Sequence, residues 1–212
     1  MLNRCHILSV IVGVVFVLAF PGDGKSATEL EERAERFVRS LAQEAVESLT
    51  AKGIPHAARI KRFRKMFNEN FAVRAIGKFV LGRHWAKATD AEREEYLFLF
   101  EDLMVISYVD RFQRYTGEKL RVLRTLPERA NAASVFTEIV RSGTTKPVKV
   151  VWRIGAKDDV LKILDVLIGG ASMSMILRSD FDSIIRQNEN RVSGLLEELR
   201  LKTKSLKSRD AN

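Results

Sequence analysis

The sequence predicts an α+β fold: an antiparallel four-stranded sheet with helices packed on one of its faces. Three observations carry this. Apolar residues recur at helical spacing from about Thr28 to Tyr115, the period falls to two after Gly117, and helical spacing returns at Ser172. The length of 212 residues suits one domain of ordinary size.

The chain begins with a separate unit. Arg4 and His6 precede an apolar run from Ile7 to Phe20, and Pro21, Gly22 and Gly24 end it. The run is shorter than the roughly 20 residues that span a bilayer, and it reads as a cleaved Sec signal over 1–24. An uncleaved anchor is the alternative. Cys5, the single cysteine, lies inside this unit, so the mature chain has no disulfide and tolerates an oxidising compartment. Residues 25–203 form the folded domain, and 204–212 form a basic flexible tail.

Thr28-x-x-Glu31 has the form of a capping box. Leu30, Ala34, Phe37, Val38, Leu41, Ala45, Val46 and Leu49 follow at helical spacing, and Gly53 and Pro55 close the segment. A second helix spans about His56 to Phe71. It sets Ile60, Phe63, Met66, Phe67 and Phe71 against Arg59, Lys61, Arg62, Arg64 and Lys65. A short apolar segment runs from Val73 to Leu81. Thr89-x-x-Glu92 opens a long helix through Tyr96, Leu97, Phe100, Leu103, Met104, Tyr108, Phe112 and Tyr115.

Four strands follow. The first holds Leu120, Val122 and Leu123. The second alternates Ala133, Val135, Thr137 and Ile139. The third alternates Val148, Val150, Trp152 and Ile154, and the fourth runs from Leu161 to Ile168. The turns at Glu128–Asn131, Ser142–Thr145 and Ala156–Asp159 are short, which favours an antiparallel meander. Ser179 caps a helix with Phe181, Ile184 and Ile185, and a last helix carries Val192, Leu195, Leu196 and Leu199.

Composition narrows the function. Charged residues make up 30% of the chain, too many for a protein with many membrane spans. The net charge of +9 permits nucleic-acid binding, but the signal argues against it and the cations are not interleaved with exposed aromatics. His56 and His84 have no His, Cys or carboxylate at ligand spacing, so no metal and no cofactor is expected. There is no G-x-S-x-G elbow, P-loop or G-x-G-x-x-G, and no enzyme is expected. Glu92, Glu94, Glu95, Glu101 and Asp102 read as a solvated helix face. Gly169-Gly170 reads as a tight strand-to-helix turn, and Gly82 and Gly170 as positions of positive φ. The apolar fourth strand, Trp152, Met173 and Met175 suit an adaptable apolar pocket. Periodicity alone does not separate a hollow core from a filled one.

Val80-Leu81-Gly82-Arg83-His84-Trp85, with Ala88-Thr89 and Glu92-Arg93, resembles the signature of the MlaC, or toluene-tolerance, family. Tyr96-Leu97, Phe100, Leu103, Tyr108 and Tyr115-x-Gly117 continue the likeness. So do Val151-Trp152-Arg153-Ile154 and the run Lys162 to Ile168 with Gly170-Ala171-Ser172-Met173. The resemblance covers about residues 28–203. It implies a periplasmic carrier with a nuclear-transport-factor-like fold, lipid tails inside and head group outside. Its cargo would be phospholipid, or a hopanoid in one subgroup. Its partners would be an inner-membrane ABC transporter complex, an outer-membrane lipoprotein complex and, transiently, the membrane surface. Ala72, where many members have Asp, and Gly169, where Glu is usual, depart from the pattern. Both bear on cargo or partner specificity.

Phe79, Leu97, Phe100, Tyr108, Val135, Val150, Trp152, Leu164, Val166 and Met173 are the expected lipid-binding lining, on the inward faces of the long helix and the sheet. Arg59, Lys61, Arg62, Arg64 and Lys65 are the expected docking face. A small exported hydrolase and an interaction domain with a filled core are the competing readings.

Overall fold

A computed structural model describes residues 24–129, 131–141, 143 and 146–209. The expected signal lies outside these residues except for Gly24. Of the expected Ser142–Thr145 turn, only Gly143 is described.

The elements are α1 (Gly24–Leu49), α2 (His56–Asn70), α3 (Val73–Leu81), a 3-10 turn (Gly82–Ala86) and α4 (Asp90–Gln113). There follow β1 (Lys119–Arg129), β2 (Ala132–Val140), β3 (Val148–Lys157), β4 (Val160–Ile168) and β5 (Ala171–Ser172), then α5 (Met173–Gln187) and α6 (Val192–Arg209). The sheet is an antiparallel meander in the order β1-β2-β3-β4-β5. It has five strands where four were expected. The fifth is two residues long, too short to show alternation. Gly169 and Gly170, at φ of 61° and 90°, turn the chain so that Leu167 pairs with Ser172. Asp158 and Asp159 take φ of 47° and 63° in the tight β3–β4 turn, a conformation that short polar side chains tolerate.

Three local expectations are corrected. Thr28 and Glu31 lie inside α1, which begins at Gly24, so they do not open it. Ser179 lies inside α5. Ser172 caps that helix instead, its hydroxyl accepting from the Met175 amide at 3.1 Å. Residues 204–209 continue α6 rather than forming a separate tail. Thr203 is buried, and the Lys207 ammonium lies 2.7 Å from Asp102 on α4, which docks the last turns. Thr89 does cap α4: its hydroxyl accepts from the Glu92 amide and the Glu92 carboxylate accepts from the Thr89 amide.

The interior is divided. One apolar cluster is helical, with Val80 and Leu81 of α3, Tyr96, Phe100 and Val105 of α4, Phe181 and Ile185 of α5, and Leu195 and Leu199 of α6. The other joins α1 to the sheet. There Leu30, Ala34, Val38, Leu41, Ala45 and Leu49 pack with Ala133, Val135, Ile154 and Ile163. Phe63 and Phe71 touch both. With Phe67 between them they form an aromatic ridge along α2, ring centroids 6.3 and 4.8 Å apart.

Candidate functional site

The predicted lining separates into two sets and two outliers. On the sheet, Val135 pairs with Trp152, and Trp152 with Val166, so the three lie side by side across β2, β3 and β4. Val150 is buried on the same face. The Trp152 indole donates to the Thr137 hydroxyl at 3.0 Å, and that hydroxyl donates to the Val150 carbonyl at 3.0 Å. This chain fixes the indole and satisfies its polar atom, as a half-buried Trp needs. On α4, Phe100 is buried while Leu97 and Tyr108 are half-buried at the edge of the helical cluster. Trp152 and Val166 lie correspondingly at the edge of the sheet cluster.

Met173 is half-buried at the start of α5. Its position is held by Asp165, a buried carboxylate that accepts from the Ser172 hydroxyl at 2.6 Å and the Ser174 amide at 3.2 Å. Asp165 and Ser172 both stand in the quoted motif. Their signal was an Asp in an apolar strand and a Ser before a helix, and their joint role came only with the sheet.

Phe79 and Leu164 do not join either set. Leu164 is 42% exposed. A bulge between the Arg153–Asp165 and Ile154–Ile163 pairs shifts the alternation by one residue. Ile163 and Val166 then face the helices, and Leu164 turns to the opposite face. There it covers Gly155, where a Cβ would come 2.7 Å from its methyl. Phe79 is 43% exposed on α3, because the short helix buries Gly77, Val80 and Leu81 instead.

The three arginines of the expected docking face reach partners within the fold, and its two lysines stay exposed. Arg59 is buried and donates to the Leu49 carbonyl at 2.9 Å. Arg62 donates to the Ser48 carbonyl at 2.9 Å. Arg64 bridges Glu101 at 2.9 Å and Asp102 at 2.7 Å. Lys65 pairs with Glu69 at 3.8 Å, and Lys61 is exposed. Burial alone would raise the Asp102 carboxyl. Hydrogen bonds from Lys207 and Arg64, with their charges, hold it below the usual carboxylate range. Arg59, Arg62 and Arg64 therefore tie α2 to α1 and α4, and Lys207 brings α6 to the same Asp102 carboxylate.

Two open clefts meet at Gly82, whose φ of 59° fits its expected role. One, about 590 Å³, is lined by Ala75, Lys78, Phe79, Trp85 and Arg178. The other, about 290 Å³, is lined by Arg83, His84, Met175, Ser179 and Asp182. Of the expected lining, Phe79 alone borders them, and the sheet walls neither. His84 is buried, its Nε2 2.7 Å from Asp182, which Arg83 and Arg186 also approach at 2.9 and 3.2 Å. The His84 hydrogen bond is the leading cause that keeps the Asp182 carboxyl below its usual range. Ser179 shares this cleft, but among the described residues His84 Nδ1 has no hydrogen-bond partner. The three therefore lack the nucleophile-to-base contact of acyl-transfer sites. Sequence spacing missed Asp182 and Asp110, which meet His84 and His56 from 98 and 54 residues away.

The family model described as MlaC protein matches residues 39–201. No curated protein is similar to the chain at a significant level. Among solved structures, a phospholipid-binding protein from Ralstonia solanacearum, determined in complex with a phospholipid, superposes with a TM-score of 0.70. It is 16% identical, and the match covers 82% of this chain and 98% of that one.

Proposed function

The chain belongs to the MlaC family, and from that premise we propose that it is a lipid carrier whose domain, residues 25–203, takes phospholipid acyl chains between the sheet and α4. The divided interior carries this reading. A domain with a filled core usually has one main apolar cluster with smaller satellites. Here two clusters of comparable size, one on the sheet and one among the helices, share only the Phe63 and Phe71 side chains among the described residues. Leu97 and Tyr108 on one side, and Trp152 and Val166 on the other, are left half-buried. Helices that part along this seam expose apolar walls on both sides, which is what acyl chains require. The Ralstonia solanacearum protein, of like fold, is solved with a phospholipid, which supports the cargo class.

No covalent chemistry is needed. About thirty methylenes of a diacyl lipid each cost roughly 0.8 kcal/mol in water, so enclosing the tails lowers the barrier to crossing an aqueous space. In this reading residues 1–24 export the chain to the periplasm. It then moves lipid between the outer membrane, with its lipoprotein complex, and an inner-membrane ABC transporter complex. The test is solvent extraction of the purified protein followed by mass spectrometry of the extract, on the wild type and on Trp152→Glu. A diacyl phospholipid in the wild type, reduced in the folded variant, is the expected result. A polycyclic lipid would keep the carrier and change the cargo to a hopanoid. A lipid-free wild type would overturn carriage in favour of an interaction domain.

A further inference from the structure

We propose that the surface around Gly82, formed by α3, the 3-10 turn and the first turns of α5, is a docking face for an anionic phospholipid membrane. The proposal rests on the carrier reading for its purpose but not for its evidence.

The first observation is charge. From Val73 to Ala88 the chain carries Arg74, Lys78, Arg83 and Lys87 and no carboxylate. Arg178 joins them from α5, its guanidinium over Gly82 and donating to the Phe79 carbonyl at 3.2 Å. The carboxylate lining the clefts is Asp182, already engaged by His84, Arg83 and Arg186. The surface is therefore cationic in excess, and its counterpart must be anionic.

The second observation is apolar exposure among those cations. Phe79 is 43% and Met175 55% exposed, and both line the clefts that meet at Gly82. Ile176, next on α5, is 43% exposed. A soluble polyanion complements the charges but leaves protruding Phe, Met and Ile side chains in water. A bilayer interface uses both, since the apolar side chains enter the acyl boundary while the cations meet phosphates.

The third observation is how the aromatics are held. Arg178 lies 5.0 Å from the Phe79 ring centroid, and Lys78 and Arg93 lie 5.8 and 5.6 Å from that of Trp85. Cations stacked on aromatic rings keep charge and apolar surface at one level, and Trp85 is of the kind found in the head-group belt of a membrane. The same arrangement explains Gly82. A Cβ there would meet the Arg178 guanidinium at 2.9 Å, at a φ that side chains rarely adopt.

The experiment is co-flotation of the full mature chain with vesicles. One set is phosphatidylcholine alone, and the other adds a minority of phosphatidylglycerol. Lys78→Glu and Ile176→Ser are compared with wild type, and extracted lipid is measured in parallel. Wild type should float with the anionic vesicles and not the neutral ones, and salt should weaken it. Lys78→Glu should lose about fivefold or more in affinity, the worth of one cation near an anionic surface. Ile176→Ser should lose affinity that salt does not restore, and lipid content should match wild type in both. Equal flotation of wild type and variants overturns the proposal. So does equally tight, equally Lys78-dependent binding to soluble polyglutamate, which would mark an acidic protein as the partner. A wild type that yields no lipid on extraction refutes carriage and leaves the vesicle comparison to decide docking alone.

Discussion

α2 and the α3 surface are both basic stretches, yet the fold uses them in opposite ways. On α2, Arg59, Arg62 and Arg64 turn their guanidinium groups toward carbonyls and carboxylates of α1 and α4. On α3 and the following turn, the cations stand beside exposed apolar side chains. Charge alone therefore does not mark a docking face. What separates the two is the supply of internal acceptors. The open C-terminal carbonyls of α1 and the carboxylates of α4 lie within reach of α2, and one carboxylate, Asp182, serves the clefts.

The widest separation should come from removing one cation on each side. Arg64→Met leaves Glu101 without its bridge and Asp102 with Lys207 alone. It should cost about 2 kcal/mol, less than a fully buried pair because the guanidinium is partly solvated. Lys78→Met should cost under about 0.5 kcal/mol, as surface changes usually do. Urea midpoints of the two variants measure the contrast, and equal losses would erase it. The Asp102 carboxyl adds a pH signature. Its folded value is depressed, so its contribution is full above the ordinary carboxylate range and is lost as pH falls through the folded value. Arg64→Met should flatten the acid limb of the stability profile, whereas Lys78→Met should leave it unchanged.

Next in size is Gly82→Leu, which should cost about 1–2 kcal/mol through its positive φ. It should also displace Arg178 from Phe79. Gly170→Leu meets nothing within 4 Å of the new Cβ, and the φ penalty alone should cost about 1 kcal/mol. Thermal melting of the pair separates backbone strain from crowding. A larger loss at Gly170 would mean that the Gly82 surface yields without cost.

The smallest effect is a gain. Ala72 occupies the N-cap of α3 and offers no side-chain acceptor. Ala72→Asp should stabilise the domain by about 0.5–1 kcal/mol, read as a raised melting temperature. An unchanged or lowered value would show that the bond from the Ala72 amide to the Ile163 carbonyl already fixes this end of the helix.

Most elements were legible because they repeat. The α3 limits, Val73 and Leu81, and the Thr89 cap of α4 follow from short-range spacing and one hydroxyl. Features without a period were not. β5 is two residues long, and the start of α1 upstream of its apparent capping box left no local mark. Among the expected lining residues, Val135, Val150 and Trp152 fell on one face because β2 and β3 pair without a shift.

The sequence by itself determined the family, the alternation of helices and strands, and the apolar stripe of each element, since all three are written in residues close along the chain. Tertiary structure alone decided which side chains meet. The β4 bulge, visible only through pairing with β3, turned Leu164 away from the helices while leaving Val166 toward them. The carboxylates that tie down Arg64 and His84 come from 37 and 98 residues away. A local pattern records how a side chain points relative to its own element. It holds no record of which acceptor the fold will bring within 3 Å, and at α2 and α3 that distance separates a cation held inside the fold from one left exposed.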